Sequence, residues 1–413
     1  MIQKELGTLG HLASMGSIKN RVSASYVYTL DADEPIRNGY VEYDQDGTIL
    51  AVGTCDDVTS EEVFYEGAIV PGFVNAHCHV ELSHLHGKFR KGTGMAGFID
   101  QINELRDWAG KEVKAQLVEK WMDKMWADGV SAMADISNDD SSFEVKKAHP
   151  MYTRTFLEVF GSEPEMCDGV MAEVAELGKV ADAAGIDAAP TPHSCYTMSP
   201  QLLSASAAAG LAKGYVSYHS QESQEEEDLL RSGTGAMYEN RKRSGMSTPP
   251  VTGESSLKYF VDRLAAAAPA PYDAHILLVH NVCLSQDDID AARKVMNNVF
   301  WAICPLSNIF IHDALPPVDL MRRNGLDVMV GTDSLSSNDD LDMVKELICL
   351  HANFPEVPMK ELLSWASLNG ARFLSKDDIL GSLSVGKRPG LVFVGGLDDE
   401  GNLTTASYSK RIV

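Results

Sequence analysis

Short alternating runs open the chain, and a longer mixed pattern fills its middle. From Val22, VSASYVYTL breaks at DADEP and resumes as GYVEYDQDGTILAVG, where an Asp-Gly turn between two apolar runs predicts a hairpin. After FYEGAIVPGFVNAHCH the period changes. Strand-like runs (IVPGFVNAH, GVSAMADIS, MYTRTFLEVFG, IDAAPTPH, YVSYHS, AHILLVHN, VFWAICPL, LDVMVGTD) alternate with amphipathic segments such as AGFIDQINELRDWAG and SSLKYFVDRLAAAA. Eight such alternations predict an α/β chain folded as a (β/α)8 barrel of the TIM type, with a doubly wound sheet as the competing arrangement. Near the end, LGSLSVGKRPGLVFVGG and GNLTTASYS return to short strands. The expected organisation is a barrel over residues 71–379 and a small composite β-sandwich domain built from 18–70 and 380–413. Residues 1–17, with little hydrophobic pattern, are expected to form a loose arm.

Composition narrows the function classes. Of 413 residues 44% are hydrophobic, and the 33 Gly and 17 Pro are ordinary for a globular chain. Acidic residues outnumber basic ones by 59 to 35, a net charge of −24. Such a field disfavours nucleic-acid and membrane-surface partners and leaves a small-molecule substrate. The seven cysteines are scattered without a CxxC pair, which predicts neither a disulfide framework nor a thiolate metal site and fits a reducing, cytoplasmic setting. The first residues lack the apolar core of a signal peptide.

The polar residues that stand out fall at strand ends, where barrel enzymes keep their active sites. His77 and His79 end the first barrel run; residues i and i+2 of a strand face one side, so both imidazoles can reach one metal. His219 ends YVSYH with Glu222 three residues on, His280 ends AHILLVH, and Asp333 ends LDVMVGTD. Each alone reads equally well as a structural histidine or a helix cap. Their joint occurrence on four strand ends predicts a site. Three neutral imidazoles and a carboxylate leave room for a water, the donor set of a catalytic metal. Beside it, Glu222, His280 and Asp333 are candidates to hold or move protons around an activated water.

The motifs PGFVNAHCH, HSQESQEEE, LLVHNVCL, CPLSNIF and VGTDSLSSNDDLDMVKEL resemble the metal-dependent amidohydrolase superfamily, in its branch of nucleoside and nucleobase deaminases and triazine hydrolases. The resemblance runs from about Val22 to the C-terminus. It implies a barrel with a composite β-domain, and one divalent ion held by His77, His79, His219 and Asp333, with Glu222 and His280 as catalytic partners. Zinc is the expected ion, with Fe2+ and Mn2+ compatible. Binuclear relatives need a lysine on the fourth strand; IDAAPTPHS has none, so a single metal is expected. His193 matches a substrate-binding position of the nucleoside deaminases, and Glu81, in HVELSH, resembles the aminodeoxyfutalosine deaminase group and is expected near the substrate. Asn308 is expected among the substrate-binding residues, fixing a loop near the pocket by side-chain-to-backbone hydrogen bonds. His84 and His86 are expected to bind no metal. Arg90 and Lys91 sit in a glycine-rich loop suited to a lid. The run Glu225 to Asp228 is expected only to favour a helix dipole. The implied reaction is hydrolytic deamination of an adenine-type ring in a 5′-substituted adenosine such as aminodeoxyfutalosine or S-adenosylhomocysteine. Guanine deamination, triazine dechlorination and a metal-free structural relative are the alternatives, and family habit suggests a homodimer.

Overall fold

The computed structural model describes residues 20–55 and 63–413; the expected N-terminal arm lies outside the described residues. Four strands come first: β1 (Asn20–Val27), β2 (Ile36–Tyr43), β3 (Ile49–Thr54) and β4 (Val63–Pro71). Eight follow among helices: β5 (Phe73–Cys78), β6 (Val130–Ser137), β7 (Tyr152–Val159), β8 (Asp187–Pro192), β9 (Tyr215–Ser220), β10 (Tyr272–His280), β11 (Met296–Ile303) and β12 (Val328–Val330). The last two are β13 (Leu391–Gly395) and β14 (Tyr408–Arg411).

Both chain ends build one six-stranded sheet in the order β14-β13-β4-β1-β2-β3. Its apolar face gathers Val22, Ala24, Val41, Ile49, Ile69 and Leu391. The β2–β3 pair is the antiparallel hairpin that the Asp-Gly turn predicts.

The other eight strands are parallel and run in two quartets, β5-β6-β7-β8 and β9-β10-β11-β12. Isolated bridges Ser194↔His219 and Cys78↔Asp333 join the quartets into a closed barrel. These eight are the strand-like runs of the sequence, and the barrel interior is packed by residues such as Val74, Ala134, Phe156, Leu277 and Met329. Phe373, from the helix Leu368–Phe373, packs on the same interior cluster. Around the barrel the loops repeatedly end in a serine. Ser199, Ser223, Ser255 and Ser285 each accept the backbone N–H three residues ahead, which satisfies an otherwise orphaned donor at a helix start. Among the described residues no helix is long and apolar enough to cross a membrane.

One run differs from its reading as a single strand. IVPGFVNAH is cut at Gly72, so that β4 belongs to the terminal sheet and β5 to the barrel. A Cβ on Gly72 would overlap the Ser131 hydroxyl and the Pro389 carbonyl, backbone and side chain from the barrel and the returning C-terminal segment. The crossing therefore requires glycine. Gly72→Ala should destabilise the chain by ~1–3 kcal/mol through overpacking, seen as a fall of several degrees in Tm. Gly169→Ala, in the interior of the helix Cys167–Ala184 with open space around it, should leave Tm unchanged or raise it.

Candidate active site

The C-terminal ends of the barrel strands bring His77, His79, His219 and Asp333 together. His79 Nε2 lies 3.1 Å from His77 Nε2 and 3.3 Å from His219 Nε2. Asp333 Oδ1 stands 3.6 Å from His77 Nε2 and 3.5 Å from His79 Nε2. All four residues are buried. The approach of Asp333 is made by Gly331, whose Cβ would strike the His77 backbone, and by Thr332 and Asp333 N–H groups that donate to the His77 carbonyl at 3.1 and 3.0 Å.

Electrostatics decides what this cluster is for. Burial pushes the His79 and His219 imidazoles well below their usual pKa, so both are neutral. His219 Nδ1 donates to the His193 carbonyl at 3.1 Å, which leaves a lone pair on Nε2. His79 Nδ1 has no hydrogen-bond partner among the described residues. Lone pairs face one another across about 3 Å, an arrangement that needs a cation between them. Donors held ~2.0–2.2 Å from one tetrahedral ion stand roughly 3.3–3.6 Å apart, so the donor set fits a single divalent metal. Burial works to raise the Asp333 pKa, but the neighbouring imidazoles of His77, His79 and His280 hold it well below the carboxylate range. Ser307 and Ser337 hydroxyls donate to its Oδ2 at 2.6 and 2.8 Å, which turns Oδ1 toward the histidines.

Glu222 and His280 stand beside the cluster. Tyr196 OH donates to Glu222 Oε2 at 2.7 Å, and Glu222 Oε1 lies 3.5 Å from His280 Nε2. Burial, reinforced by the Asp333 charge, raises the Glu222 pKa well above that of a free glutamate. Burial pushes His280 down to about 3. The Asn308 amide donates to His280 Nδ1 at 3.3 Å, so in this orientation the ring proton sits on Nε2, which has no protein partner.

A cavity of about 840 Å3, mouth included, opens over the cluster. Glu222, Asp333 and His193 line its polar end; Leu82, Met95, Phe98 and Ile102 line an apolar wall. His193 stacks on His219 (centroids 4.4 Å, 24°), and its Nδ1 pairs with the Ser194 and Thr197 hydroxyls at 2.8 Å each.

The Amidohydrolase family's sequence model matches residues 68–411. The chain belongs to the Amidohydrolase family. This amidohydrolase is 25% identical over 387 residues to an adenosine deaminase of Helicobacter pylori, covering 91% of each chain. It is 26% identical over 349 residues to a 5-methylthioadenosine/S-adenosylhomocysteine deaminase of Moorella thermoacetica, covering 79% of this chain and 72% of that one. Its fold matches the crystal structure of Helicobacter pylori aminofutalosine deaminase in complex with methylthio-coformycin, with TM-score 0.73, 23% identity and 93% of each chain covered.

Some expected site residues take other places in this amidohydrolase. Glu81 does not line the cavity over the cluster; both its oxygens accept the Asn138 N–H, at 3.0 and 2.9 Å, and it lines an adjoining cavity. Asn308 is fully buried and meets His280 rather than a loop backbone. His84 is held between the Glu81 and Arg106 carbonyls and His86 against the Asp339 carbonyl, both away from the cluster. Lys91 pairs with Asp339.

The acidic run does more than meet a helix dipole. Glu226 accepts the Gln221 and Glu222 N–H groups at 3.1 and 2.8 Å, holding a turn in which Gln221 adopts φ 51°. Glu225 accepts Met95 and Ala96 N–H at 3.2 and 2.9 Å, which caps the helix Gly94–Leu105 that forms the apolar wall. Glu158, at the end of β7, and Tyr196 also line the cavity. Glu158 was legible by the strand-end rule that marks the histidines; Tyr196 sits in a loop and carried no such signal.

His219→Ala should reduce bound divalent metal from about one per chain to near zero, measured by elemental analysis after dialysis. His84→Ala should leave that content unchanged.

Proposed function

We propose that this amidohydrolase deaminates the adenine ring of a 5′-substituted adenosine by hydrolysis. The observation that carries the reading is Glu222: a buried carboxyl whose pKa burial raises well above that of a free glutamate, set beside the cluster of His77, His79, His219 and Asp333 at the floor of a cavity. The relatives named for adenosine and for methylthioadenosine or S-adenosylhomocysteine support the substrate class. The apolar face of the helix Gly94–Leu105, with Met95, Phe98 and Ile102 one turn apart, supports a substituent beyond the sugar.

His77, His79, His219 and Asp333 would hold a single divalent ion, for which zinc is the best match to the donors. When bound, the ion supplies Lewis acidity that brings the pKa of a water from ~15.7 toward ~7. The chain's own groups do the rest. Glu222, fixed at Oε2 by Tyr196, gives its proton from Oε1 to the ring nitrogen next to the amino-bearing carbon. His280 directs Nε2–H at the attacking water, its ring oriented by Asn308. Asp333 Oδ1 takes the water's proton and passes it to the departing amine. Water adds at the ring carbon, the exocyclic C–N bond breaks as ammonia leaves, and the remaining hydroxyl proton returns to Glu222 as the ring carbonyl forms. Burial of every group keeps bulk water from competing for these protons.

Glu222→Gln keeps the shape of the side chain and removes its transferable proton. Ammonia release from adenosine and 5′-methylthioadenosine should show kcat lowered by ~10²–10⁴, with KM moved much less and metal content intact. Near-wild-type kcat, or loss of the metal, would contradict the role given to Glu222.

A further inference from the structure

Glu158 is a buried carboxyl group, its pKa pushed up by burial to about 8, that the proposed chemistry leaves unused. It ends β7, is 8% exposed, and lines both the cavity over the cluster and the adjoining one. One oxygen is engaged: Asn138 Nδ2 donates to Oε2 at 3.0 Å. Asn138 is in turn held through its own Oδ1 by Arg106 at 3.3 Å. The other oxygen, Oε1, is buried without a hydrogen-bond partner. A buried carboxyl oxygen left unpaired is costly. The structure therefore presents a carboxyl group fixed by Asn138 in the wall shared by the two cavities, with one oxygen left for a donor that a ligand brings.

Position identifies the donor. Glu158 Oε1 lies 3.7 Å from His219 Nδ1, the ring nitrogen that does not face the other histidines. It stands about one ring-width from the reacting centre, on the side where His193 stacks on His219. A purine whose amino-bearing carbon sits at the cluster carries its sugar at the opposite edge of the ring, a similar distance away. The exocyclic amine, held at the cluster, is too near the centre to be this donor, and the apolar wall of the helix Gly94–Leu105 offers the sugar no acceptor through Met95, Phe98 or Ile102. Glu81, whose oxygens are occupied by the Asn138 N–H, is not open to it.

We propose that Glu158 is the specificity-determining residue for the sugar: its free oxygen accepts a hydrogen bond from a ribose hydroxyl of the nucleoside. This assignment rests on the reading of the site as an adenosine-type deaminase. A hydroxyl satisfies Oε1 directly. A dideoxy sugar displaces any water there and leaves the acceptor unpaired, which is a stronger rejection than the loss of one apolar contact.

The test compares adenosine with 2′,3′-dideoxyadenosine on the metal-loaded enzyme, by ammonia release. Wild type should favour adenosine by about 10- to 100-fold in kcat/KM. Glu158→Ala should bring the two substrates within about twofold of each other, and Glu158→Gln, which keeps one acceptor oxygen, should fall between. Metal content is measured for each variant, and if Glu158→Ala disturbs His219 enough to lose metal, Glu158→Gln carries the comparison alone. A wild-type preference that both variants retain, or no preference in wild type, would overturn the role of Glu158 while leaving the deaminase reading standing. No ammonia from adenosine, 5′-methylthioadenosine or S-adenosylhomocysteine with metal-loaded wild type would overturn the deaminase reading, and the assignment of Glu158 with it.

Discussion

Three buried imidazoles turned toward one another are the constraint on which the rest of this protein depends. His79 Nε2 faces His77 Nε2 at 3.1 Å and His219 Nε2 at 3.3 Å, with Asp333 Oδ1 at 3.5 Å. No apolar core would choose such a contact, since lone pairs in a low-dielectric interior repel and forfeit the hydrogen bonds that water would give them. A cation at their centre converts the same geometry from a liability into a binding site. The surroundings then act to hold the arrangement in register: serine hydroxyls on the far oxygen of Asp333, the His193 carbonyl on His219, the His77 carbonyl under the chain that carries Asp333.

The barrel supplies that register where it is least regular. Its two quartets meet at bridges that include His219 on one seam and Asp333 on the other, so closing the barrel and assembling the donor set are one event. Strain gathers at the same strand ends. Gln221, His280, Asn281 and Asp333 are non-glycine residues with φ between 51° and 76°. Each such residue costs on the order of 1–3 kcal/mol and persists only where its neighbours over-determine it. For Gln221 the neighbour is Glu226, which accepts two successive backbone N–H groups and so aims Glu222; for Asn281 it is the pair of hydrogen bonds from its own amide to the Leu278 and Ala302 carbonyls.

Much of this was legible in the sequence because the site obeys a simple rule: chemistry sits where an apolar strand ends. The eight barrel strands follow from apolar runs bounded by turns, and His77, His79, His219, His280 and Asp333 each close one of them. What the pattern could not show depends on contacts between distant segments. Gly72 looks like an interruption within one strand, yet it divides two sheets because Ser131 and Pro389 press against it. Glu225 and Glu226 look like a solvated acidic run, yet one caps a helix some 130 positions earlier in the chain and the other turns back on its own loop. Glu81 lies two residues from a donor histidine, but a short helix (Val80–Leu85) rotates it onto the Asn138 N–H, while Glu158, from a strand whose end was not singled out, takes the place in the cavity.

The central claim is that the histidine cluster exists to hold one cation and is completed by it. Titrating metal-stripped protein with Zn2+ in a calorimeter, with Tm followed in parallel, tests it directly. The account predicts one saturable equivalent per chain and a Tm that climbs with free metal, since an ion that binds the folded chain at ~100 times its Kd stabilises it by ~2.7 kcal/mol. A stoichiometry near zero, or a Tm indifferent to the metal, would contradict it.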